Sequence, residues 1–197
     1  MLVATAIITA AATLGACGGG QDAPGAPSTA ASTTASPCTG DNLSISQANG
    51  MLYTFHDLFV YALKNTSSTD CSLTGYPQLA STTESGSNLP ANFADTTESP
   101  LYEGASTQAV TLQPGASAGL YIGSVGDPGG PDECTASERV HGTVDITVTG
   151  GGSPLTIASN NCPGQTIYVS PFQPSPVLPQ IPGTTTDTNQ ATTTTSP

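Results

Sequence analysis

The sequence has almost no positive charge. Its 197 residues include 2 Lys and Arg residues against 14 Asp and Glu residues, which gives a formal net charge of −12. A surface of this sign repels phosphate backbones and anionic lipid headgroups, so nucleic-acid binding is excluded. The two basic residues, Lys64 and Arg139, are expected at rim positions, each paired at most with a neighbouring carboxylate.

The N-terminal apolar run is too short to span a membrane. The uncharged stretch Leu2–Leu14 has 13 residues, whereas a transmembrane helix needs roughly 18 or more. Its length is typical of the apolar region of a cleaved signal peptide. A signal normally carries a basic residue before this region, but here Met1 is followed directly by Leu2. Either the translation start lies further upstream or the signal is atypical.

The residues Leu14-Gly15-Ala16-Cys17 close this run and resemble the lipobox of bacterial lipoprotein signals. The motif implies cleavage before Cys17 and a diacylglycerol thioether on its sulfur, and two or three acyl chains anchor a protein stably. We therefore predict a signal peptide over residues 1–16 and membrane attachment through lipidated Cys17. The alternative is a plain secretory signal with Cys17 as an ordinary thiol.

The sequence also lacks any CxxC motif. Its five cysteines are an odd number, and assigning Cys17 to lipid leaves an even four, which in an exported chain indicate two disulfides. Three pairings are possible, and we favour Cys38–Cys71 with Cys134–Cys162 because each closes a loop of about 30 residues, which stabilises by roughly 3–4 kcal/mol. With no CxxC and two isolated histidines, we expect no metal and no cofactor.

Composition divides the mature chain into a tether, one domain and a tail. Residues 17–37 are rich in Gly, Ala, Ser, Thr and Pro, and residues 178–197 are rich in Pro and Thr. Such compositions bury too little apolar surface to fold, so both flanks are expected to be disordered. The 140 residues over 38–177 are enough for one domain with a core.

Alternating apolar residues between the flanks predict β-strands. In the run Phe55–Asn65, Phe59 and Tyr61 share one face and Leu58 and Val60 the other, which is typical of a central strand. Turn-forming residues at 84–88 and 150–153 predict hairpin connections. Nine short strands without an amphipathic helix favour an all-β, antiparallel, immunoglobulin-like β-sandwich. The predicted strands are Asn42–Ala48, Phe55–Asn65, Gln78–Thr82, Leu89–Phe93, Gln108–Gln113, Ser117–Ser124, Val140–Thr149, Leu155–Ala158 and Thr166–Ser170.

Four motifs in order carry a resemblance to a known family. They are Asn65-Thr66-Ser67, Cys71-Ser72-Leu73-Thr74-Gly75-Tyr76-Pro77, Leu112-Gln113-Pro114-Gly115-Ala116-Ser117-Ala118 and Val169-Ser170-Pro171-Phe172. Together with Cys134 and Cys162 they resemble the actinobacterial secreted domain of unknown function 4232. The resemblance implies an exported, often lipid-anchored β-sandwich of mycobacteria and their relatives, and it implies no established activity. Many relatives carry a Trp where this chain has Tyr121-Ile122.

Two of these motifs also have a physical interpretation. Residues 65–68 end a strand with side chains that bond their own backbone, and Cys71 then ties that turn to the start of the domain. Gly75-Tyr76-Pro77 makes a corner in which the ring of Tyr76 packs. A ligand-lining role for Tyr76 is the less favoured alternative.

Two further motifs suggest chemistry. Residues 115–119 match the G-x-S-x-G nucleophile elbow, with Asp127 or Asp132 and then His141 following in hydrolase order. The elbow requires a following helix, whereas Ser117 precedes a β-prone run. The acidic loop at 126–133 offers oxygen ligands for calcium but lacks EF-hand spacing.

The sequence therefore predicts a non-enzymatic binding or structural module of the cell envelope. It is expected to be lipid-anchored at the outer face of the plasma membrane or the cell wall, where its surface or loops would bind an envelope protein, a glycan or a small molecule. The alternative is a small envelope hydrolase that uses Ser117 and His141.

Overall fold

The structure of the protein is a computed structural model, and it describes residues 35–53, 56–88, 91–126 and 138–180. The predicted signal peptide with Cys17, nearly all of the predicted tether and most of the predicted tail lie outside these residues. Cys134 and the greater part of the acidic loop also lie outside them.

The described residues form eleven β-strands, one 3-10 turn at Gly40–Asn42 and no α-helix, which confirms the all-β prediction. All nine predicted strands overlap observed strands. Two observed strands, one of two residues and one of three, were not predicted because so short a segment shows no alternation. The strands are β1 (Ser36–Pro37), β2 (Leu43–Tyr53), β3 (His56–Asn65), β4 (Cys71–Leu73), β5 (Gln78–Thr83), β6 (Asn92–Asp95), β7 (Val110–Leu112), β8 (Ser117–Val125), β9 (Val140–Thr147), β10 (Leu155–Asn161) and β11 (Thr166–Val169).

The strands form one large sheet and two small ones. The large sheet has the order β2-β3-β8-β11-β6, and the small sheets have the orders β10-β9-β5 and β1-β4-β7. All pairings are antiparallel except β1 with β4 and β6 with β11. The inner face of the large sheet packs on both small sheets through one buried cluster, so the fold is a β-sandwich. That cluster includes Leu63, Leu120 and Val169 from the large sheet and Leu73, Leu112, Val144 and Ile146 from the small ones.

One predicted hairpin is confirmed in full, and the other is confirmed only as a local reversal. Residues 150–153 connect β9 to β10, which pair antiparallel with Leu155 opposite Ile146. Residues 84–88 form a tight turn in which the Thr83 amide donates to Ser87 O at 2.8 Å. Thr82 and Asn88 form an isolated antiparallel bridge across the turn, but the pairing does not continue, because β5 lies beside β9 and β6 lies beside β11 in the other sheet. Local turn chemistry specifies the reversal but not the sheet that the next strand joins.

The outer face of the large sheet is also covered. The segment 96–106 packs on it through a second buried cluster, and the chain after β11 crosses it near Gly119. Gly119 and Gly123 permit this cover, because a Cβ at Gly123 would lie 2.6 Å from Leu101 Cδ1 and one at Gly119 would meet the backbone of Ser175. The cluster comprises Leu58, Val60, Leu101, Tyr102, Ala105 and Tyr121.

Asn65 is fully buried at the end of β3, and its side chain uses every polar group it has. Its Nδ2 donates to Thr69 O at 2.8 Å and to Leu112 O at 3.0 Å. Its Oδ1 accepts from the Ser67 amide at 2.9 Å and from Ser67 Oγ at 2.8 Å. The predicted turn is therefore confirmed, and Asn65 also joins it to β7 in the neighbouring sheet.

The Cys38–Cys71 disulfide closes the same corner with a sequence separation of 33. This confirms one half of the favoured pairing. Cys162 is disulfide-bonded as well, but its predicted partner Cys134 lies outside the described residues, so that half stays a prediction. A disulfide indicates an oxidising, extracytoplasmic environment.

We expect Asn65→Ala to lower the free energy of unfolding by about 2–4 kcal/mol, because the substitution leaves buried carbonyl and amide groups of the turn unpaired. Urea unfolding monitored by circular dichroism measures the change. Asn49→Ala is the matched control, since Asn49 is exposed and donates one long bond of 3.4 Å; it should change stability by less than about 0.5 kcal/mol. Equal effects of the two variants would contradict a structural role for Asn65.

The outer cluster should make the protein less stable at high pH. Burial raises the pKa of Tyr102 and of Tyr121, whose rings lie 5.5 Å apart. A raised pKa in the folded state means that this stability is fully present below the unfolded pKa of about 10 and is lost as the pH rises above it. We expect the free energy of unfolding to fall above about pH 10, and to fall less steeply in Tyr102→Phe. Parallel pH profiles of the two proteins would contradict this assignment.

Candidate functional site

A cleft of about 490 Å³ lies between the large sheet and the β9–β10 hairpin. Phe59, Tyr61, Ile122 and Ile167 line it from the large sheet, and Val144 and Ile157 face them from the hairpin. This volume falls within the range of small-molecule sites, which are mostly apolar with a few polar groups. The strand alternation places these side chains, because Phe59 and Tyr61 share the inner face of β3 as the sequence predicted.

The inward-facing residues of β10 explain why the sandwich opens here. Leu155 is buried in the core, and Ile157, two residues further on, is half-buried against the cleft. Ser159 and Asn161 continue the same face. The face therefore changes from apolar to polar along the strand, and its last two side chains do not close the space between the sheets as large apolar residues would.

Charged residues line the same cleft as the apolar walls. Arg139 Nη1 lies 3.9 Å from Asp57 Oδ2, with side-chain exposures of 37% and 34%. The same nitrogen donates to Asn160 O at 3.4 Å. An ion pair this exposed and this long is screened by solvent and contributes little stability. The expected rim position of Arg139 is thus confirmed, and its guanidinium is available to a further acceptor.

Two more side chains mark the cleft as a binding surface. Leu52 lines it while remaining 68% exposed, which places a large apolar group against solvent. Ser159 Oγ is buried and has no hydrogen-bond partner among the residues that the structure describes. Buried hydroxyls are normally hydrogen-bonded, so Ser159 is an exception among the residues that line the cleft.

The structure does not bring Ser117 and His141 together. His141 lines the cleft with Ser124, whereas Ser117 lies opposite Lys64 at the other end of β8. Ser117 and Ser124 are seven residues apart on one strand, a separation of roughly 23 Å. A hydroxyl and a base must lie within hydrogen-bond reach for the predicted chemistry. Asp127 and Asp132, the predicted third members, lie outside the described residues.

Tyr76 contributes to a smaller pocket of about 290 Å³ beside β9. Burial, and after it the carboxylate of Asp95, raises the pKa of this tyrosine. The pocket is lined by Gln78 and by the residues from Thr147 to Thr149, with Gly151. It offers only one aromatic wall, and it is smaller than the cleft between the sheets.

The described residues contain no group of three or more His, Cys, Asp or Glu side chains able to hold a metal ion. The calcium hypothesis for residues 126–133 falls on a loop of which only Gly126 is described. Within the same described ranges, no helix has the length and apolar character needed to cross a membrane.

Sequence reasoning missed the cleft, although it placed several of its residues. The face shared by Phe59 and Tyr61 was predicted, but the partner residues Val144 and Ile157 come from β9 and β10, about 80 to 100 residues later. No local spacing signals that β10 faces β3. One signal in the sequence could have indicated the cleft. Along one face of β10, the apolar Ile157 is followed by the polar Ser159.

Comparison with known proteins identifies a family without an assigned activity. A family model described as a domain of unknown function, DUF4232, matches residues 38–173. No curated protein and no solved structure matches the chain. The geometry of the cleft is therefore the main guide to function.

Proposed function

Because the chain belongs to the DUF4232 family, whose description names no function, we propose from the cleft geometry that this protein is a non-enzymatic binding module of the cell envelope. Its ligand is a small amphipathic molecule whose apolar part lies between the sheets. The observation that carries the proposal is the cleft itself, with apolar walls from two sheets and a polar, charged rim. A glycan or a protein surface would use the apolar depth of this cleft less well.

A non-enzymatic role is supported by the separation of the candidate nucleophile from the candidate base. Ser117 lies at the end of β8 remote from the cleft, and His141 lines the cleft. The polar lining of the cleft includes the amides of Gln47 and Asn160 as well as the ionisable side chains already described.

Attachment to the outer face of the plasma membrane or to the cell wall completes the proposal. The Cys38–Cys71 disulfide supports an extracytoplasmic location. The lipobox-like residues before Cys17, and the even number of cysteines left once Cys17 is assigned to lipid, support an acyl anchor. An anchored module with a tether would hold its cleft close to a source of amphipathic molecules.

The cleft proposal is tested with the apolar fluorophore N-phenyl-1-naphthylamine. We expect the purified full chain carrying Cys17→Ala, which has no acyl group of its own to compete, to bind the dye with enhanced emission. Ile157→Trp should reduce this binding at least about fivefold, because the larger ring fills the space between the sheets. Thr156→Trp is the matched control, since Thr156 is on the same strand but is exposed on its other face.

A second pair of variants keeps the test independent of core packing. Leu52→Asp places a charge at the rim without touching the core, because Leu52 is 68% exposed, and it should weaken dye binding. Val177→Asp is its control, since Val177 is 58% exposed and does not line the cleft. Dye binding that is absent, or that is unchanged in both Ile157→Trp and Leu52→Asp, would overturn the proposed site.

The anchor is tested separately. We expect Cys17→Ala to move the protein from the membrane fraction to the soluble fraction, because removal of every acyl chain leaves an acidic domain that anionic headgroups repel. Immunoblots of fractionated cells, with intact mass spectrometry of the membrane form, measure the outcome. Cys162→Ala controls for the loss of a cysteine as such. A Cys17→Ala protein that stays membrane-bound would show that the anchor lies elsewhere.

A further inference from the structure

The distribution of charge around the cleft differs from that of the whole chain. The chain has 14 acidic residues and only four residues that can carry positive charge, namely Lys64, Arg139 and two histidines. Arg139 and His141 both line the cleft, whereas Asp57 is its one acidic residue among those that the structure describes. The cleft therefore holds one of the two formally positive side chains beside a single described carboxylate, in a chain of net charge −12.

Arg139 is placed to bind an anion. Both of its bonds to described residues come from Nη1 and are long, at 3.9 Å to the Asp57 carboxylate and 3.4 Å to Asn160 O. A guanidinium presents five N–H donors in a planar fork that matches a carboxylate or a phosphate. Its remaining donors are thus available to a ligand anion. Because the side chain of Arg139 is 37% exposed, an anion can reach it from solvent.

The apolar walls lie directly beside this charge. Phe59 is two residues from Asp57 on the inner face of β3, and Arg139 immediately precedes β9, two residues before His141, so charged and apolar residues of the cleft are close neighbours along the chain. A ligand that reaches Arg139 with a charged group therefore brings its next atoms against Phe59 and Ile157. Leu52, exposed on the same rim, extends the apolar contact toward solvent.

We infer that the ligand of the cleft is an anionic amphiphile, with a carboxylate or phosphate group held by Arg139 and an apolar chain lying between the large sheet and the β9–β10 hairpin. The inference rests on the proposed function and specifies its ligand class. Asp57 competes with the ligand anion for the guanidinium, so the free site is neutral and an anion displaces a weak pair.

The test uses one chain length with four headgroups. Dodecanoate, dodecyl phosphate, dodecanol and dodecyltrimethylammonium, each below its micellar concentration, are titrated against protein loaded with N-phenyl-1-naphthylamine. We expect both anions to displace the dye at about tenfold lower concentration than dodecanol, since a charge-assisted hydrogen bond is added. The cation should be the weakest. The ratio between the carboxylate and the phosphate distinguishes the two possible anionic groups.

Three variants identify the side chain that confers the preference for anions. Arg139→Gln should abolish the preference for anions while leaving dodecanol unchanged within about twofold, and Asp57→Asn should strengthen anion binding because it removes the competing carboxylate. Lys64→Gln is the matched control: it removes the same single charge, but Lys64 lies seven residues from Asp57 along β3, roughly 23 Å away. It should leave every affinity unchanged.

The outcomes separate this inference from the proposed function. Equal binding of dodecanol and the anions would overturn the anionic ligand class while leaving the cleft a site for apolar chains. Preference for the cation would assign recognition to Asp57 instead. Equal losses in Lys64→Gln and Arg139→Gln would show a long-range effect of net charge rather than a contact. Failure of the dye and of all four chains to bind would overturn the cleft itself.

Discussion

The large sheet is apolar on both faces, and the rest of the fold follows from the need to cover it. Leu58 and Val60 alternate with Phe59 and Tyr61 along β3, so neither face can be left to water. Two small sheets cover the inner face, while the segment 96–106 and the chain after β11 cover the outer face. Asn65 stabilises this arrangement because one buried amide joins the end of β3 to the turn after it and to β7.

The division of the inner cover between two small sheets explains where the cleft forms. Near Leu63 and Leu120 the large sheet is fully buried, whereas Phe59, toward the other end of β3, is only partly buried. The β9–β10 hairpin faces that end with Ser159 and Asn161, and a continuous apolar strand there would have closed it. The cleft is thus a consequence of a polar strand end that faces an apolar sheet, a combination that leaves the two sheets less closely packed there.

Features that depend on residues close together in the sequence were predicted better than features that depend on residues far apart. Strand alternation within β3 and the side-chain bonds of Asn65 to Ser67 are local, and the sequence specified both. The disulfide between Cys38 and Cys71 was favoured on loop length and is present. The turn at 84–88 reverses the chain as predicted and is bridged by Thr82 and Asn88, but the next strand joins the other sheet. The cleft was not predicted at all, since its walls on β3 and β10 meet only through tertiary packing.

The strongly negative charge of the chain gives the position of Arg139 its functional meaning. With a net charge of −12, the protein repels anionic surfaces, but salt limits that repulsion to about 8 Å at physiological ionic strength. A guanidinium at the cleft therefore acts on an anion that has already come close, and the surrounding charge discourages adsorption elsewhere on the surface. Selectivity follows from the combination of a guanidinium with apolar walls. An anion without an apolar chain gains only a screened contact with Arg139. An apolar chain without an anionic group leaves Arg139 paired with Asp57. Only a molecule with both groups gains from both parts of the cleft.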